Sequence, residues 1–118
     1  MRVHHLALIT PDPVALAAFY RDVLGVPELR VQHDDQGVRS VWLDLDGAIL
    51  MVERGPTRDE SAAGGWDALL LAADPGSGPA WIARLGPHLV GRTAYTLYAR
   101  DPDGNRFGVS SYPEALGG

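Results

Sequence analysis

Hydrophobic and polar positions divide the chain into short elements. Val3 to Ile9 reads as a strand, and Pro11-Asp12-Pro13 ends it and opens a helix over about Val14 to Leu24. Asp12 suits the N-cap and Pro13 the first helical position, because that residue's N–H has no intrahelical partner in any case. Leu16, Phe19, Tyr20, Val23 and Leu24 fall at helical spacing on one face, and Gly25 followed by Pro27 stops the helix. Three strand-like segments follow, about Glu28 to His33, Arg39 to Leu45 and Ala48 to Glu53. Asp34-Asp35-Gln36-Gly37 and Asp46-Gly47 separate them as hairpin turns. The first half therefore reads βαβββ.

After a polar loop the same order returns in weaker form. Asp67 to Ala73 is strand-like, and Asp74-Pro75 breaks it as Asp12-Pro13 broke the first strand. A short helix over Gly78 to Leu85, a weak segment at His88-Leu89-Val90 and a strand over Thr93 to Ala99 follow. The Asp101 to Asn105 turn then leads into a last strand, Arg106 to Ser111. Laying Asp12 on Asp74 places His5 on Asp67 and Leu8 on Leu70. The chain is thus an internal repeat in one domain of 118 residues: a first module over about 1–54, a loop over 55–65 and a second module over about 66–112.

Composition narrows the partners. The apolar fraction of 46% and charged fraction of 21% are those of a globular chain, and no apolar run approaches the roughly 20 residues that span a bilayer. With no secretory leader in Met1-Arg2-Val3-His4-His5-Leu6, a cytoplasmic location is expected. There are no cysteines, which removes disulfides, thiolate nucleophiles and thiolate metal ligands. A net charge of -5 opposes nucleic-acid binding, which needs a basic face to displace counterions from phosphates. A small molecule is the expected partner. Gly76-Ser77-Gly78 lacks the spacing and lysine of a phosphate loop, and Ser110-Ser111 have no evident histidine base with an acidic partner.

Three features together resemble one known family. They are His5-Leu6-Ala7-Leu8 with Asp12 seven residues after the histidine, the helix end Phe19-Tyr20-Arg21-Asp22-Val23-Leu24-Gly25, and the Asp101-Pro102-Asp103-Gly104-Asn105 turn before the last strand. Their order and spacing resemble the vicinal oxygen chelate superfamily of glyoxalases, bleomycin-resistance proteins and extradiol dioxygenases, over nearly the whole chain. The resemblance implies an α+β fold of two βαβββ modules forming incomplete β-barrels with helices outside. It also implies a homodimer, since each open barrel leaves edges that a second copy can close.

In metal-dependent members of that superfamily, ligands come from the first and last strands of each module. The corresponding positions here are His5, Met51, Asp67 and Gly108. Met51 stands where glutamate is typical, and Gly108 offers no side chain. Hard divalent ions have little affinity for a thioether, so no metal and no cofactor is expected. Strand alternation from His5 drafts a mostly apolar cavity face with Val3, Ala7, Ile9, Ile49, Met51, Glu53, Leu69, Leu71, Asp67, Arg106, Gly108 and Ser110, and with Trp42 as a stacking wall. His5, Trp42, Met51, Glu53, Asp67, Arg106, Gly108 and Ser110 are the candidate ligand contacts, and loss of two carboxylates is expected to free volume at the centre. The function expected is binding of a small apolar or aromatic compound without a catalytic metal, as in the bleomycin-resistance type. The alternative is a metal-dependent lyase, isomerase, dioxygenase or thiol transferase using His5 with Glu53 or Asp67. Metal-free acid/base catalysis by His5 and Asp67 is a third reading.

Overall fold

The Asp12 carboxylate accepts a hydrogen bond from the Ala15 N–H at 3.1 Å, which starts helix α1 (Pro13–Leu24) with proline in its first turn. Gly25 closes it in the left-handed region at φ 72, its N–H returning to the Arg21 carbonyl. The computed structural model describes residues 1–56 and 67–118, and the loop expected over 55–65 lies, from residue 57 on, outside them. The chain divides into two compact units, with the division between residues 59 and 60.

In the first unit, β1 (His5–Thr10), β2 (Glu28–Asp34), β3 (Gly37–Asp44) and β4 (Ile49–Arg54) form one open sheet in the order β1-β4-β3-β2. β1 runs parallel to β4, and the other pairs are antiparallel. Pleating sends alternate residues to opposite faces. Val41, Leu43, Leu50 and Val52 are buried on the face against α1, together with Leu16, Ala17 and Tyr20. This is the core of the unit. Asp46 at φ 58 and Gly47 at φ 108 turn β3 into β4, with the Leu45 N–H donating to the Ala48 carbonyl at 2.9 Å. Two successive positive φ values match the right-handed twist of a tight hairpin, which is why Asp-Gly marks this position.

The second unit repeats the topology. β5 (Ala68–Ala72), β6 (Leu89–Arg92), β7 (Thr96–Arg100) and β8 (Arg106–Ser110) lie in the order β5-β8-β7-β6, and helix α2 spans Gly78–Leu85. Leu97, Ala99, Phe107, Val109, Leu85 and Leu116 are buried together as its core. The strand expected over Thr93 to Ala99 is shorter. Thr93 Oγ1 accepts from the N–H groups of Tyr95 and Thr96, turning the chain before β7 begins. Tyr95 consequently leaves the strand and meets Tyr112 edge to face at 5.1 Å. No helix among the described residues is long and apolar enough to cross a membrane.

The Asp101 to Asn105 turn is held by its first residue. Asp101 Oδ1 accepts from the N–H groups of Asp103 and Asn105, both at 2.9 Å, and Oδ2 accepts from Asn105 Nδ2 at 2.8 Å. Only Gly104 takes a positive φ, 85. Asn105 serves the turn through its side-chain hydrogen bond rather than through a left-handed backbone.

Candidate functional site

The face of the first sheet turned away from α1 carries the candidate residues in cross-strand rows. Arg30 pairs with Trp42, Trp42 with Met51, and Met51 with Ala7, so one row crosses all four strands. Beside it run Asp44, Ile49 and His5, and on the other side Gln32, Ser40, Glu53 and Ile9. The direct neighbour of His5 is therefore Ile49, with Met51 two residues further along β4.

His4, His5, Trp42, Ile49 and Met51 line a cavity of about 110 Å³. An adjoining groove of about 480 Å³ shares His4 and Ile49 and extends past Arg2 and Asp44. The two imidazoles touch through their Nδ1 atoms at 2.8 Å, one donating to the other's lone pair. Trp42 Nε1 is buried and has no hydrogen-bond partner among the described residues, while the Arg30 guanidinium carbon stands 5.6 Å from the centre of the same indole. A buried donor left unpaired costs about 1–3 kcal/mol. His4 lines this cavity although it was absent from the drafted face, Ile49 lines it as drafted, and Arg30, also absent from the draft, stands against Trp42 in the same row. Pairing of Arg30 with Trp42 depends on a register shift between Glu28 and Arg30, for which the sequence carries no local signal.

Glu53 is engaged elsewhere, its Oε1 lying 3.5 Å from Arg39 Nη2. It also stands four residues along from the level of His5, about 13 Å at strand rise, beyond joint reach of one ion. Among the described residues no three His, Asp or Glu side chains gather as a metal site. The donor set of this sheet does not fit a catalytic metal.

In the second unit the register corrects the drafted face. Ala68, Leu70 and Ala72 pair with Arg106, Gly108 and Ser110, whereas Leu69 and Leu71 pair with the buried Phe107 and Val109. Leu69 and Leu71 therefore lie on the core side, and the exposed Asp67, in phase with them, does not join the Gly108 row. The three leucines in succession hide this phase, because their run is equally apolar on both faces. Arg106 covers the Tyr98 ring at 3.9 Å, and Ser110 Oγ accepts from Thr96 Oγ1 at 2.8 Å. No space opens at Gly108. A Cβ there would stand 2.1 Å from the Leu97 carbonyl oxygen and 3.1 Å from Leu70 Cδ2.

Known proteins share this architecture. A family model described as a glyoxalase-like domain matches residues 5–110. The chain is similar to the fosfomycin resistance protein FosX from Listeria monocytogenes, solved with Mn(II) and a sulfate ion, at TM-score 0.77 and 14% identity over 94% of this chain and 91% of that one. It is similar to lactoylglutathione lyase from Agrobacterium tumefaciens at TM-score 0.68 and 23% identity, covering 94% and 93%. A glyoxalase/dioxygenase from Nostoc punctiforme gives TM-score 0.70 and 25% identity, covering 96% and 92%. No curated protein sequence matches the chain significantly.

Proposed function

The chain belongs to the glyoxalase-like family of the vicinal oxygen chelate superfamily, and from that membership we infer that it binds a small apolar or aromatic compound without a catalytic metal. The observation that carries this reading is the Trp42–Met51–Ala7 row beside His5. A thioether stands in the row where a metal site needs a hard donor, and the neighbouring carboxylate is held by Arg39. Apolar walls with few polar groups are the usual make-up of a small-molecule site. His5, Trp42 and Met51 form its wall in this proposal.

The metal-dependent alternative draws on the Mn(II) bound to FosX and on the histidine at position 5. It needs a carboxylate near that histidine. Glu53 is too distant along β4 to serve, and Asp67 lies in phase with the core side of β5.

The proposal also holds that the protein works as a cytoplasmic homodimer. The dimer is supported by the pair of open sheets, whose edge strands have no further strand beside them among the described residues. Sedimentation at micromolar concentration tests the dimer. For the ligand, a panel of aromatic and apolar compounds should raise the melting temperature by mass action, a compound at a hundred times its Kd adding about 2.7 kcal/mol. Absence of any shift across the panel would overturn the binding reading.

A further inference from the structure

We propose that the compound bound on the first sheet is a small aromatic or apolar carboxylate, its acid group received by Trp42 Nε1–H and the Arg30 guanidinium. This rests on the binding reading above and assigns the charge and polar group of the ligand. Two donors of the same row have no protein acceptor among the described residues, one buried and one, on Arg30, exposed and open to a ligand. Trp42 Nε1 is buried without a partner. Ion pairs join Arg21 to Asp22 and Glu28, Arg39 to Glu53, and Arg54 to Asp34, and Arg30 is in none of these.

Nearby acids do not neutralise this pair of donors. Glu53 faces Arg39, and Asp44 Oδ1 accepts the Asp46 N–H at 2.8 Å in its own turn. A neutral carbonyl would satisfy the indole and leave the guanidinium unmatched. A carboxylate has two oxygens and one charge, so it serves both donors while its ring or chain covers Met51 and Ala7. A cationic ligand would meet Arg30 with like charge. The small cavity beside Trp42 adjoins the larger groove past Asp44, and the two together have room for the body of such an acid.

The test is calorimetric titration of the untagged protein with naphthoate and with its uncharged methyl ester, repeated on Arg30→Gln and Trp42→Phe. Naphthoate should bind roughly tenfold tighter than the ester, because a hydrogen bond to a charged group contributes about 1.5–3 kcal/mol. Arg30→Gln should remove that preference, bringing the ratio of naphthoate to ester affinity down to about one. Trp42→Phe, which keeps an aromatic wall and deletes the donor, should weaken naphthoate roughly tenfold. The Trp42 indole N–H resonance, assigned through the same variant, should move downfield on adding naphthoate. Equal binding of acid and ester, or a preference that survives Arg30→Gln, would overturn the carboxylate assignment and leave the apolar-compound reading standing. Failure of both probes to bind would count against that reading itself and remove the assignment with it.

Discussion

Gly108 lies so close to Leu97 that a Cβ on the glycine would stand 2.1 Å from the leucine's carbonyl oxygen. The obstacle is backbone of the adjacent strand β7, which cannot step aside as a flexible side chain would. Gly108→Ala should therefore destabilise the protein by about 3 kcal/mol, the upper range for overpacking, measured by urea unfolding. Gly108→Glu should be at least as damaging and should not confer metal binding. A well-folded Gly108→Glu protein that takes up Mn or Zn would contradict this account of the position.

The Asp101 carboxylate gathers three donors in one turn. Asp101→Ala leaves the N–H groups of Asp103 and Asn105 without that acceptor, and a loss of about 3 kcal/mol is expected. Asn105→Ala deletes one of the three bonds, and about 1.5 kcal/mol is expected. Both should shift the urea midpoint with an unchanged slope, since the surface exposed on unfolding stays the same. Equal losses for the two variants would show that Asp101 does not organise the turn.

At the first hairpin, the side-chain hydrogen bond from Arg54 to Asp34 holds the Asp34 carboxyl below its ordinary value, aided by the Gln36 N–H. A carboxylate with a depressed folded pKa adds stability above its unfolded value. That contribution is lost as pH falls through the folded value. Asp34 should thus remain ionised at pH values where an unpaired aspartate is largely protonated, as followed by carboxyl carbon NMR. Arg54→Gln should move its titration up toward the ordinary range, and an unchanged titration would remove Arg54 as the cause.

Local chemistry made much of the fold legible. Asp12 and Gly25 bracket α1 where the capping pattern put them, Asp46-Gly47 makes its hairpin, and the βαβββ order recurs in the second unit. Each is decided by a few adjacent residues. The site was less legible because its rows are set by pairing between strands. Laying Asp12 on Asp74 put Asp67 in the repeat position of His5, but Met51 pairs with Ala7 and Gly108 with Leu70, so laying Gly108 on Met51 puts Ala68 in that position. A slip of one residue exchanges the faces of a strand. Arg30 escaped for the same reason, since a register shift between Glu28 and Arg30 brings it beside Trp42.

Metal content bears most directly on the central claim. Protein purified without an affinity tag or chelator, then analysed by elemental mass spectrometry after equilibration with Ni, Zn, Mn and Fe, should carry only traces of metal, and those ions should leave its melting temperature unchanged. Near-stoichiometric metal that disappears on His5→Ala would contradict a metal-independent binding site.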